Sequence, residues 1–405
     1  MRIVKVPGLI GPSASPGVSA TIWVLLLALL CFVAVAHETV LPAKFLLDEQ
    51  VILERMVTVS RFEAFGDSFD NLAWTLRWLG AGTAGISLIG FFASTVGLVL
   101  AIWRSGVTSL TGTEFLLACF WLVAQTVYIG MPSKEIVISL AVLVILQCKD
   151  SRFIVVIFTA CVALIAVFFR TYWAITLAPA LLLYFGPAVL RKPLSLAFVA
   201  VVLFACVAVN FRIQYGETLD FARQMVNESR YPNEVGSLIV QIIPGGNIVS
   251  DVTNAMLILG TFLLPLPLIL SGVATQTIGG ICTFFTLALM FSRYQGRRAV
   301  AAPDRFGKLC FCFIVSFLAT QAIFEPDYGS FLRHLSPISP LMLYLLLSSR
   351  SERESEAPRS SAPARIPASR RADNRDRTTL NERAAPRSGS GLFPMRRSRY
   401  STASE

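Results

Sequence analysis

Between two apolar runs, LCFCFIVSFLATQAI and LMLYLLL, the stretch FEPDYGSFLRHLSPISP carries Glu325, Asp327, Arg333 and His334. Two acids, a fixed cation and a titratable ring in one short connection suit proton transfer beside a bound anion. Arg333 is the candidate anion ligand, and His334 or Asp327 the candidate acid or base. A plain hairpin needs polarity but not this variety. Three further clusters have similar chemistry. In PSKE, Lys134 and Glu135 open a helix with Ser133 placed as an N-cap. A glutamate there suits the helix dipole, whereas a lysine does not and points to an anionic partner. In FRTYW, an interfacial aromatic belt accounts for Tyr172 and Trp173. Arg170 fits the belt less well, and its planar guanidinium suits bidentate contact with phosphate oxygens. The loop 211–252 supplies Arg212, Arg223 and Arg230 among Glu217, Asp220, Glu228 and Glu234, a mixture that reads as an amphipathic surface helix. The IPGG that follows is a backbone break without the lysine of a phosphate-binding loop.

The elements that must hold these groups are apolar. Of 405 residues, 55% are hydrophobic and only 15% charged, in runs near bilayer-spanning length that do not alternate as barrel strands do. The reading is an all-α polytopic membrane protein. Helices are expected near 20–37, 79–102, 114–130, 134–147, 153–169, 173–189, 193–210, 253–271, 273–292, 307–324 and 335–348. The run 20–37 reads as an uncleaved anchor, because the spans that follow need an oriented first helix. Lysine and arginine in the short loops CKDSR and LRKP set the inside. The basic loop 292–308 falls inside only if one neighbouring run does not cross. That run is 253–271, broken by PLPLIL and expected to be re-entrant or interfacial. About ten transmembrane helices remain, with both termini cytoplasmic. Residues 1–19 form the cytoplasmic N-terminus and 20–349 the transmembrane domain, with outer loops 38–78 and 211–252. Residues 350–405 form a disordered Arg/Ser/Pro-rich cytoplasmic tail. The clusters above all fall on the non-cytoplasmic side.

The net charge of +10 lies largely in that tail, which reads as a solvated segment rather than a nucleic-acid site; basic residues flanking a last span also hold a terminus against anionic lipid. Eight cysteines inside or at the edges of apolar runs and only two histidines argue against metal and disulfide frameworks. The halves show no internal duplication of the kind transporters carry.

The early LPAKFLLDEQVI...GDSFDN loop, PSKE, FRTYW and EPDYGSFLRH resemble the Wzy-type O-antigen and exopolysaccharide polymerases and, more broadly, GT-C membrane glycosyltransferases. The resemblance spans roughly 20–350 and implies a GT-C-like fold in the bacterial cytoplasmic (inner) membrane. It implies polymerisation of polyprenyl-diphosphate-linked oligosaccharide repeat units at the outer face, without a cofactor. Arg170, Arg212, Arg230 and Arg333 would bind the diphosphate and anionic sugars, alongside Lys134 and Tyr172, and a chain-length regulator or flippase is the expected partner. The family's paired R-x-x-x-L pattern in a large outer loop is not evident, and of the acidic metal motif of metal-using GT-C enzymes the nearest candidate is Asp48–Glu49. Glu135, Asp327 or His334 supply the base that an acceptor hydroxyl needs. The alternatives are an O-antigen ligase-like or other GT-C glycosyltransferase, and a transporter or flippase for a glycan or lipid.

Overall fold

The computed structural model describes residues 16–42, 45–80, 82–107, 109–228, 237–298 and 304–356. Arg230 and the tail beyond Glu356 lie outside them. The described residues form helices α1 (Pro16–Val35), α2 (His37–Val40), α3 (Leu47–Thr58), α4 (Ser68–Leu79), α5 (Thr83–Arg104), α6 (Gly112–Ile129), α7 (Glu135–Gln147), α8 (Ile154–Phe168) and α9 (Trp173–Phe185). These are followed by α10 (Pro193–Tyr215), α11 (Phe221–Glu228), α12 (Ile248–Leu263), α13 (Leu266–Ile269), α14 (Ala274–Arg298), α15 (Arg305–Phe324), α16 (Tyr328–Leu335) and α17 (Ser339–Glu356). Among the described residues, the only β-type pairing is an isolated antiparallel bridge between Leu238 and Asp327.

Among the described residues, five helices are long and apolar enough to cross a membrane: α5, α6, α10, α14 and α15. Five shorter apolar helices, Trp23–Val35, Glu135–Gln147, Ile154–Phe168, Trp173–Phe185 and Ile248–Leu263, pack among them. The 22 residues of α5 extend about 33 Å, enough for the hydrocarbon core. Each expected apolar run coincides with a helix. The last begins at Ser339 rather than 335, and α17 continues to Glu356, past the expected start of the tail at 350.

Burial separates the centre of the bundle from its rim. In α15 nearly every residue is covered, including Ser316, Thr320 and Gln321. Ser316 and Thr320 meet their hydrogen-bonding needs by donating to carbonyls one turn back. By contrast α10 leaves Leu194 and Phe198 exposed, as an apolar helix does where its outer face meets lipid. The stack of Tyr294 on Phe311, with centroids 3.8 Å apart, and the Trp121 Nε1 hydrogen bond to Thr286 Oγ1 tie α14 to α15 and α6.

The bundle has two polar ends. At one, Arg104 pairs with Asp150, Arg293 with Glu114, and Tyr344 donates to Asp304. At the other, five segments distant in sequence touch. Phe65 N–H donates to Val167 O, Asn71 donates to Phe168 O, Lys134 donates to Ser68, Arg333 pairs with Asp48, and Arg223 donates to Glu325 O. The chain from α12 to the start of α14 stays near this second end. Asp251, in the first turn of α12, pairs with Arg212; Phe262, near its close, stacks on Phe331 at 3.9 Å; and Gly279, early in α14, packs against Leu332. The break falls at Leu264–Pro265, where proline removes a helical donor.

Candidate functional site

Glu135 is the first residue of α7 and is 0% exposed. It lies there because α5 passes close to the last turn of α6: a Cβ on Gly90 would stand 2.0 Å from the Ile129 carbonyl oxygen, so only glycine permits the crossing. The turn 130–134 then folds back, with Ser133 Oγ donating to Tyr128 O at 2.9 Å. Ser133 is therefore not the N-cap of α7; Lys134 holds that position and makes no side-chain cap.

Three cationic or titratable groups converge on the Glu135 carboxylate. Arg170, in the α8–α9 turn, donates from Nη2 to Oε1, and its Nη1 donates to the Tyr172 hydroxyl at 2.7 Å. The Tyr172 ring stacks on Phe324, the last residue of α15. From α16, Arg333 donates Nη2 to Glu135 Oε2 at 3.1 Å and meets Asp48 Oδ2 at 2.7 Å. Its neighbour His334 places Nε2 3.6 Å from Glu135 Oε1, while Nδ1 bonds the buried Glu325 carboxylate. Glu325 terminates α15 and precedes Pro326, so the two acids reach the ring from different helices.

Lys134 stands beside this group. Its Nζ donates to Ser68 Oγ at 3.3 Å and lies 3.5 Å from the centre of the Phe69 ring. Burial, reinforced by the Arg170 charge, pulls its pKa down to about 8.

Two expected site residues sit elsewhere. Asp327 caps α16, accepting from Ser330 N–H at 2.8 Å and Ser330 Oγ at 2.7 Å, so its carboxylate is committed to the helix start. Arg212, at the end of α10, donates to Gly246 O and pairs at 3.1 Å with the buried Asp251 of α12, which supplies the counter-charge that holds it away from Glu135. Arg230 lies outside the described residues.

The sequence reading gave no catalytic or substrate-binding role to Glu325, Asp48 or Arg223. Glu325 was visible as an acid at a span end. Arg223, in α11, is 2% exposed and donates to the carbonyls of Ala322, Ile323 and Glu325, closing the C-terminal turn of α15. The Asp48–Glu49 pair is split: Asp48 faces Arg333, and Glu49 faces His37 Nε2 at 2.8 and 2.9 Å. His37 Nδ1 donates to Ala34 O at 2.7 Å. With Glu38 these residues form the one His/Cys/Asp/Glu group of metal-holding proximity among the described residues, and its two buried members already pair with each other.

Chemically, the site is a desolvated carboxylate flanked by two arginines, with an imidazole held between two acids. The Nε–H groups of Arg170 and Arg333 are buried without an acceptor, and Glu325 Oε2 is buried without a donor. Arg104 and Arg212 also leave Nε unpaired, but among the described residues only at Glu135 do two such guanidinium groups share one carboxylate. Comparison of the chain with protein-family models, curated proteins and solved structures returned no match.

Proposed function

We propose that the chain is a polymerase of polyprenyl-diphosphate-linked oligosaccharide repeat units, acting at the outer face of a bacterial inner membrane through a GT-C-like bundle of about ten spans. In this reading the segment 253–271 is re-entrant or interfacial and both termini are cytoplasmic. The observation that carries the proposal is the pair of buried, unpaired Nε–H donors on Arg170 and Arg333. A buried donor without an acceptor costs about 1–3 kcal/mol, and a phosphate oxygen relieves that cost. Asp48, the most exposed carboxylate in the group at 31%, is the one a substrate phosphate displaces from Arg333.

In the reaction the acceptor hydroxyl oxygen attacks the anomeric carbon, and the bond from that carbon to the diphosphate oxygen breaks. The acceptor proton passes to a base, and the diphosphate leaves with the bonding pair. Arg170 and Arg333 stabilise the charge that develops on the leaving group. His334 is the base best placed to act, since Glu325 orients its ring, whereas Glu135 is held by two guanidinium groups and Asp327 by its cap. No cofactor enters this scheme.

The test is polymer formation by the full chain in nanodiscs, supplied with lipid-diphosphate-linked oligosaccharide. Arg333→Ala abolishes polymer while protein amount stays constant, and Arg333→Lys restores little, because a point charge lacks the planar fork. Normal polymer from a stable Arg333→Ala protein refutes the proposal. Movement of unpolymerised lipid-linked glycan across the bilayer by the wild type, without chain growth, replaces it with a flippase.

A further inference from the structure

Next to the charged cluster, α11 and the chain at 239–241 enclose a cavity of 400 Å³, within the roughly 300–1,000 Å³ usual for small-molecule sites. Its lining is rich in acceptors and poor in available donors. The Asp220 side chain, 7% exposed, accepts from Arg223 Nη1 at 2.7 Å through Oδ1, while its Oδ2 is buried without a partner. Asn227 donates from Nδ2 to Ile239 O at 3.3 Å, and its Oδ1 is likewise buried and unpaired. Gln224 and Glu228 stand exposed at the rim. The one cation among the described residues of the lining, Arg223, is already occupied by Asp220 and by the carbonyls of Ala322, Ile323 and Glu325. Two buried acceptors left open in a cavity require a ligand that donates hydrogen bonds.

We infer that this cavity binds a saccharide, whose hydroxyl groups donate to Asp220 Oδ2 and Asn227 Oδ1. The choice of a sugar over other donors rests on the glycan reading given above, and the assignment extends it by locating where the sugar part is held. The placement suits that role. A single guanidinium, that of Arg223, lines the cavity and also holds Glu325 O, and the Glu325 side chain orients His334. The cavity floor and the proposed base are therefore built on the same last turn of α15. A sugar bound here is connected to the proposed base through Arg223 and Glu325 and is held by hydrogen bonds to acceptors, not by a cation free to take an anion.

The experiment uses the purified full chain in nanodiscs and a defined set of free oligosaccharides, cellotriose, chitotriose and maltotriose, with binding read by saturation-transfer NMR. The wild type shows saturation transfer to at least one of them. Asp220→Asn keeps an acceptor for Arg223 but turns an amide donor toward the cavity, and Gln224→Trp fills the mouth from an exposed position. Each lowers affinity tenfold or more without changing thermal stability. Arg333→Ala leaves free-sugar binding intact even as it removes polymer formation, so the cavity and the diphosphate site fail separately. The inference is overturned by no saturation transfer from any of the three sugars, by unchanged affinity in both stable cavity variants, or by occupancy with sodium, calcium or an ammonium ion alone. If Asp220→Asn fails to fold, Gln224→Trp decides.

Discussion

Replacing Glu135 by Gln isolates the electrostatic design of the site. The substitution conserves shape and one carbonyl acceptor but removes the charge that two guanidinium groups face at 7% and 18% exposure. Arg333 retains Asp48 as a directly paired counter-ion, while Arg170 retains the Tyr172 hydroxyl and the unbonded charge of Glu325, so most of the loss falls on Arg170. Removing one partner of a buried ion pair costs about 3–5 kcal/mol, because the remaining charge stays desolvated. With an amide still accepting one hydrogen bond, we expect the lower end, about 3 kcal/mol, or roughly a hundredfold in the folding equilibrium. The assay is reversible unfolding in mixed micelles, with the double-mutant cycle Glu135→Gln/Arg170→Gln. The coupling should reach the upper part of the ordinary range, about 1.5–3 kcal/mol. As control, Arg55 pairs with Asp70 at 33% and 45% exposure, and Arg55→Gln should cost under about 1 kcal/mol. A Glu135→Gln loss no larger than the Arg55→Gln loss, or a coupling near zero, refutes the claim that this carboxylate organises the cluster.

Three other outcomes follow from local geometry. The hydrogen bond to Glu49 raises the pKa of His37 above 6.5 despite burial, so the stability it contributes is fully present below pH 6.5 and fades as pH rises through the raised folded value. Hydrogen exchange over 37–58, corrected for intrinsic rates, should show that loss of protection, and Glu49→Gln should remove its pH dependence. Lys134 gives the opposite sign. Between about 8 and 10.5 the unfolded chain holds a proton the folded chain has released, so this residue's contribution rises with pH in that window, and Lys134→Met should flatten the rise in thermal unfolding. Gly90→Ala should cost about 1–3 kcal/mol by overpacking and, under the proposed function, lower polymer yield as well, since the crossing it disrupts lies at the 130–134 turn.

The helices were legible because long apolar runs in this chain leave few other folds open. The clusters at PSKE, FRTYW and EPDYGSFLRH were legible because ionisable side chains at span ends are costly unless partnered. What the sequence could not show was the partnering. Arg212 reads like Arg170, an arginine at the end of a span, and only the packing of α10 against α12 reveals that Asp251 claims it. Asp327 carries its explanation three positions on, in Ser330, but an aspartate before a short helix looks the same whether it caps or catalyses. The separate α16 was hidden because eight residues are too few for periodicity to stand out from the apolar runs on either side.

The location of the polar groups follows from the same constraint that makes the chain apolar. Inside a bundle of this composition, backbone donors and acceptors are satisfied along each helix and left open only at its ends. Helix ends are therefore where a polar side chain meets partners of fixed geometry, and the site is assembled almost wholly from them. Asp48 lies in the first turn of α3, Glu135 opens α7, Arg170 sits between α8 and α9, Glu325 closes α15, and Arg333 with His334 lie in the last turn of α16. Arg223 shows the dependence most directly. By occupying the final carbonyls of α15 it satisfies groups that would otherwise be orphaned, and the same bonds fix the residue whose carboxylate holds His334. Its role is to position Glu325 and, through it, the imidazole. The stability of the helix end and the orientation of the proposed base are two consequences of one set of hydrogen bonds.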